Sequence, residues 1–343
     1  VSYTYQLAED ELTTIFEEQI AAVALAEINP SASPELVVLG GQPASGKTRS
    51  RHLVMADERF AGVSFFAPEG DALRVWHPDY DRAVSEDPLL MPEVTKQASG
   101  AWLKSTIELG FAQGASMLIE GTWRAQDVPL NTVAQAQELG YRTHAVLVAV
   151  PPEVSRVEML ARFYEPTLHG QPARWTPPVA HDEAVANLER TASALARSSS
   201  VATFSVITRD AQFIVDQELP GPQRAASVRE GLERARAAFW TPASRSEWLD
   251  RVDTYHEAHQ HLTSQAPEAI AVWEQVLNRD VPAVQRMYPR PPATDASGVA
   301  RRFDLALEKL RAHGSSPRAP SRSEQERRRE SPPRQEPQTP DLR

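Results

Sequence analysis

Leu36-Val37-Val38-Leu39-Gly40-Gly41-Gln42-Pro43-Ala44-Ser45-Gly46-Lys47-Thr48 is the stretch on which the fold turns. Four apolar, partly β-branched residues running into two glycines read as a buried strand that ends in a tight turn. The turn, Gly41, Gln42, Pro43, Ala44, Ser45, Gly46, Lys47 and Thr48, fits G-x-x-x-x-G-K-[ST], and 49–56 after it is compatible with a helix. Strand, glycine-rich loop and helix in that order form a phosphate cradle. The glycines let backbone N–H groups turn inward, and the helix N-terminus favours an anion. Lys47 is then placed to reach β- and γ-phosphates, and the Thr48 hydroxyl to ligate Mg²⁺.

Outward from this loop, short apolar runs recur at 63–66, 116–119, 145–150 and 204–207, each reading as a further strand. Between them, 96–112, 130–139 and 182–197 carry helical periodicity, and 8–28 reads as an amphipathic helix. Strands alternating with helices predict an α/β, doubly wound fold, its mostly parallel sheet covered on both faces. After about residue 221 the strand signal stops, and 224–239, 244–263 and 266–286 read as helices. The expected organisation is an α/β core over 1–220, a helical extension over 221–313 and a tail over 314–343. The tail is rich in Pro, Arg and Glu and nearly devoid of apolar residues, so it is expected to be disordered.

Composition removes several classes. The 343 residues include no cysteine, which excludes disulfide scaffolds, zinc-thiolate sites and a cysteine nucleophile. The 36 basic and 46 acidic side chains give a net charge of −10, which argues against a broad nucleic-acid or membrane-coating surface. No apolar run nears the roughly 20 residues that span a bilayer, and no secretory leader is visible, so a cytoplasmic protein is expected.

Candidate acceptor residues lie beyond the strands' carboxyl ends, where open α/β sheets bind ligands. Glu120 follows one strand, with Gly121, Thr122, Trp123 and Arg124 after it; it reads as a site carboxylate or as a turn acid. Asp71 follows a glycine turn and suits a carboxylate that accepts a proton from a hydroxyl; an N-cap is the competing reading. Arg74 and His77 either meet an anionic substrate or are solvated. Arg156, Arg162 and Arg174 bracket a turn-rich segment of the kind that forms a lid, or they line a solvated face.

Taken together, these motifs resemble the zeta-toxin family of P-loop kinases, the toxin arm of bacterial toxin–antitoxin modules. The likeness is carried by the 39–48 loop, by Asp71 with Arg74 and His77-Pro78-Asp79-Tyr80, and by Ile119-Glu120-Gly121-Thr122-Trp123-Arg124. It continues through Arg162-Phe163-Tyr164-Glu165, Ala173-Arg174-Trp175-Thr176-Pro177 and His181-Asp182, so that it is collinear over about 8–220. The resemblance implies a kinase using ATP or GTP with Mg²⁺, whose acceptor is a nucleotide sugar, UDP-N-acetylglucosamine at its 3′-hydroxyl. It implies Asp71 as general base, Lys47 on the phosphates, Thr48 on the metal, and Arg162 with Arg174 around the transferred phosphoryl. Arg74, His77, Glu120, Thr122 and Arg124 become the substrate-binding candidates. It also implies an antitoxin protein as partner, with restraint in cis by 221–313 as the alternative. One departure stands out: Lys104 occupies the position where the family often has a substrate-binding glutamate, with Glu108 one helical turn on. Another nucleotide such as NAD as acceptor, or a regulatory NTP-binding module, are the competing readings.

Overall fold

The computed structural model describes residues 3–86, 89–168, 173, 175–262 and 267–287. The 314–343 tail and the end of the helical extension lie outside these residues. The chain opens with α1 (Glu9–Ile15) and α2 (Ala21–Glu27), joined through a π-helical turn at Phe16–Ile20. β1 (Glu35–Gly40) leads through the glycine loop into α3 (Lys47–Met55). Three helices follow, α4 (Tyr80–Glu86), α5 (Met91–Val94) and α6 (Lys96–Ala112), before β2 (Met117–Gly121). Then come α7 (Asp127–Glu138), β3 (Arg142–Val148), α8 (Pro152–Leu168), α9 (Pro178–Arg197), β4 (Thr203–Ile207) and β5 (Phe213–Gln217). The C-terminal helices are α10 (Pro222–Phe239), α11 (Pro242–Leu262), α12 (Pro267–Gln275) and α13 (Val281–Met287).

The sheet order is β2-β1-β3-β4-β5, with every pair parallel except the antiparallel β4 and β5. Successive strand residues point to opposite faces. Val37 and Leu39 of β1 therefore join one core cluster, and Leu36 and Val38 the other. Both faces are covered, which is why the strands read as continuous apolar runs rather than alternating ones. β2 and β3 lie on either side of β1, so the order reverses at the strand that carries the glycine loop. That reversal opens a crevice at the strands' carboxyl ends.

Two expectations are corrected. The 63–66 run is not a strand; it contributes one parallel bridge, Phe66 to Met117. Gly62 turns the chain just before it, at φ +82°, and Pro68 just after it lacks the N–H a ladder would need. The second correction is β5, absent from the sequence reading. Its alternation buries only Val215 well, and it returns from β4 through a short hairpin with no helix between.

The C-terminal helices share the core of the α/β body. Trp248, Leu249, Val252, Tyr255, Val272, Trp273 and Val276 lie in the same buried cluster as Val37, Leu39 and the α8 residues Val157 and Leu160. Polar contacts reinforce the joint: the Tyr164 hydroxyl meets His259 Nδ1 at 2.8 Å and accepts from Trp273 Nε1 at 3.1 Å.

Four histidines, His77, His144, His181 and His259, are nearly or fully buried, and burial pulls each below its ordinary value. Between the folded and unfolded values the unfolded chain binds more protons, so stability there rises with pH. Stability is expected to hold above about pH 6.5, where unfolded histidine is neutral, and to fall as pH drops below it. Denaturant midpoints at several pH values check this; equal or greater stability on the acid side would overturn it.

Candidate active site

The loop after β1 is shaped by its small residues. Gly46 sits at φ +92°, a conformation in which a side chain is strained, and it directly precedes the first turn of α3. A Cβ on Gly41 would come 2.6 Å from Ser45 Oγ. The loop thus runs without bulky side chains at Gly41 and Gly46 into a helix N-terminus, a setting that suits a phosphate. The Lys47 ammonium reaches back across the loop, donating to the carbonyls of Gly41 at 2.7 Å and Gln42 at 3.0 Å. Gln42 turns its side chain inward, donating to the Val150 carbonyl at 2.8 Å and to Ser155 Oγ at 3.2 Å. Its amide anchors the loop, so only its backbone faces a ligand. Thr48 is exposed at the start of α3.

Beside the loop, β1 ends on Gly40 because Trp123 lies directly against it: a Cβ there would come within 2.1 Å of the indole. Trp123 itself adopts φ +52°, and its carbonyl accepts a hydrogen bond from Thr191 of α9 at 2.9 Å. This packing fixes the end of β2, and with it Glu120 and the half-buried Thr122.

Two arginines organise the carboxylates next to this loop. Arg51, one turn after Lys47 on α3 and about nine-tenths buried, makes a short contact with Glu69 and lies 3.4 Å from Glu120. Burial raises Glu120, the positive charges of Arg51 and Lys47 oppose that, and Glu69 and Asp71 add to it. Glu120, Glu69, Asp71, Lys47 and Arg51 thus form one electrostatic group. Asp71 precedes a 3₁₀ turn at Ala72–Trp76, yet its side chain caps nothing there. It accepts instead from Arg74 Nε at 3.0 Å. Arg74 in turn donates to the Pro92 carbonyl at 2.9 Å and to Thr95 Oγ1 at 2.6 Å. Its guanidinium therefore ties Asp71 to the start of α6.

The other sequence candidates are more scattered. His77 is buried under the N-terminal segment, where Nδ1 accepts from the Asp79 N–H at 3.1 Å. Arg124 is exposed, 3.6 Å from Glu183 of α9. Lys104 is also exposed and pairs with Glu108 at 3.8 Å, so neither residue enters the carboxylate group just described. Arg162 lies half-buried on α8, and Arg174 falls outside the described residues. Arg156 is no lid arginine: it is buried in an ion pair with Asp280 at 2.5 Å.

Arg51 and Arg209 were missed from sequence, though each left a signal. Arg51 stands four residues after Lys47, the spacing that puts two side chains on one helix face. Arg209 follows β4 at the strand-end position, and its guanidinium packs 3.1 Å from where a Cβ on Gly46 would lie.

Comparison with known proteins agrees with this architecture. The family model described as Zeta toxin matches residues 21–219. A toxin zeta from Enterococcus hirae is 28% identical over 284 residues, covering 81% of this chain and 93% of its own. That share exceeds what 1–220 can supply, so the likeness runs into the C-terminal helices. The toxin PezT of Streptococcus pneumoniae is 29% identical over 216 residues, covering 63% of this chain and 83% of its own. A solved chain from the PezAT chromosomal toxin–antitoxin system of Streptococcus pneumoniae superposes with TM-score 0.59 at 23% identity, over 75% of this chain and 98% of that one. That superposition extends the likeness from sequence to fold. With more than half of its length matched by the family model, the chain belongs to the zeta toxin family.

Proposed function

We propose that this protein is a toxin-type kinase that transfers the γ-phosphoryl of ATP or GTP to a hydroxyl of a nucleotide sugar, with UDP-N-acetylglucosamine at its 3′-hydroxyl as the first acceptor to test. The observation that carries the reading is Asp71. Its carboxylate is oriented by Arg74 and lies in the electrostatic neighbourhood of Glu120 and the loop lysine. In this reading Asp71 takes the acceptor proton, while Glu120 and Thr122 help orient the acceptor. Lys47, Arg162 and Arg174 offset charge on the transferring group. Thr48 would hold Mg²⁺ together with the nucleotide's own oxygens, since no group of three or more His, Asp or Glu is set to hold a metal among the described residues. When bound, the ion neutralises charge shared between the β- and γ-phosphates.

Such an activity must be restrained in the cell that makes it, and an antitoxin protein is the partner this reading requires. Its support is the toxin–antitoxin system to which the similar solved chain belongs. One observation favours keeping a second acceptor in view. Lys104 with its Glu108 partner brings a cation to a position where the sequence likeness implies an acid. The test is incubation with Mg-ATP and either UDP-N-acetylglucosamine or NAD, read by mass. One added phosphate on the sugar nucleotide supports the first reading, and on NAD the second. Nucleotide hydrolysis with neither acceptor modified would overturn both. Asp71→Ala is expected to keep nucleotide affinity but to lower transfer about 100-fold. Transfer at the parent rate would remove Asp71 as base.

A further inference from the structure

A chain of polar groups, buried except at the half-exposed Asp182, runs from the phosphate loop to the C-terminal helices. Gln42 Nε2 donates to the Val150 carbonyl and to Ser155 Oγ, at 2.8 and 3.2 Å. Ser155 Oγ lies 2.8 Å from His181 Nε2, and His181 Nδ1 lies 3.0 Å from Asp182 Oδ1. Arg156 Nη2 reaches the same Asp182 oxygen at 3.4 Å, and Nη1 reaches Asp280 at 2.5 Å. Asp280 belongs to a π-helical turn, Val276–Asp280, and is 1% exposed. Such turns interrupt a helix at some cost and recur at functional positions.

The protons can be assigned along the whole chain. Asp182 is held ionised: burial pushes its carboxyl up, but the bonds from His181 and Arg156 outweigh it and leave it below its ordinary value. A carboxylate only accepts, so His181 Nδ1 carries the proton toward it. Burial keeps the imidazole neutral, which leaves Nε2 as an acceptor for the Ser155 hydroxyl. Ser155 Oγ then has a lone pair for the Gln42 amide. The Pro152 carbonyl, 3.1 Å from Ser155 Oγ, competes for the same hydroxyl proton, and His181 Nε2 makes the shorter of the two contacts at 2.8 Å. The Ser–His–Asp order is that of a hydrolytic triad, but Ser155 and His181 are both fully buried, so no substrate can reach them.

We propose that His181 is a positioning residue for the phosphate loop: through Ser155 it fixes Gln42, and through Asp182 and Arg156 it joins that loop to Asp280 of the C-terminal helices. The inference rests on the nucleotide-binding reading of 41–48, not on the identity of the acceptor. It assigns the C-terminal helices a direct part in holding the nucleotide site. Phosphate binding by backbone N–H groups needs those groups aimed before the ligand arrives, and Gln42 is the second residue of the loop.

The experiment uses the full chain with His181→Phe, His181→Gln and Ser155→Ala. A glutamine can present an amide acceptor toward Ser155, whereas phenylalanine cannot. ATP affinity, read with a fluorescent ATP analogue, is expected to weaken about tenfold in His181→Phe and Ser155→Ala, the equivalent of one lost buried hydrogen bond. In His181→Gln most of that loss is expected to be recovered. Where turnover is measurable, KM for ATP rises in the weakened variants while kcat at saturating ATP stays within a few-fold. Amide hydrogen exchange without nucleotide is expected to quicken over 41–46 and to stay unchanged in β1 and β3. Unchanged affinity and unchanged exchange over 41–46 in folded His181→Phe and Ser155→Ala would overturn the proposal. If the parent binds ATP but phosphorylates no acceptor, the kinase reading fails, while the affinity series and the exchange data still decide the role of His181.

Discussion

Lys47→Ala is expected to lower phosphoryl transfer by about three orders of magnitude, the upper range for removing one preorganised charge-stabilising group. The ammonium spans the mouth of the loop, 2.7 and 3.0 Å from the carbonyls of Gly41 and Gln42. An alanine leaves those carbonyls facing the same space with no positive charge to offset the phosphates. The fold is not expected to suffer. Lys47 is the first residue of α3, where a cation opposes the helix dipole, and alanine is the best helix former. Transfer rates measured beside melting curves separate the two effects. A variant that keeps more than a tenth of the parent rate would remove Lys47 from the chemistry.

The largest expected effect on stability belongs to Asp280→Ala. Arg156 and Asp280 have side chains 4% and 1% exposed and lie 2.5 Å apart. Removing one partner of a buried pair leaves the other charged and desolvated, at a cost of about 3–5 kcal/mol. Asp182, 3.4 Å from the same guanidinium but half exposed, softens the loss toward the lower end. Replacing both partners with apolar residues of similar volume is expected to recover most of it, because the penalty comes from the uncompensated charge. Denaturant unfolding of the single and double variants checks this; a loss below about 1 kcal/mol would show that the pair is not a mainstay of the joint. A chain cut after residue 220 loses Asp280 together with Trp248, Val252, Tyr255 and Trp273 of the shared core. Lower toxicity of such a fragment would therefore report a damaged fold rather than the loss of a regulatory segment.

The parts of the site legible from sequence are those built by neighbours along the chain. Gly41 to Thr48 could be read directly because a strand, a tight turn and a helix N-terminus each leave a local pattern. Glu120 could be found because a polar residue ending an apolar run lies at a strand's carboxyl end. Asp71 could be named, but its choice between capping and chemistry could not be made from spacing. In the structure its side chain makes no cap and accepts instead from Arg74, which also reaches Thr95 at the start of α6. His77 and Arg156 look available from sequence, as polar residues near motifs do, and packing buries both. β5 escaped because a short edge strand with one well-buried residue carries little periodicity.

The sequence by itself determined the phosphate loop and, apart from 63–66 and β5, the succession of strands, since hydrophobic period, glycine spacing and a helix start act within about ten residues. The tertiary structure decided which charges meet. Arg51 with Glu69 and Glu120, Gln42 with Ser155, and Arg156 with Asp280 pair residues 18 to 124 positions apart. Ion pairing and burial depend on distance in space, and that distance exists only once the sheet has brought its carboxyl ends together and the C-terminal helices have closed against α8.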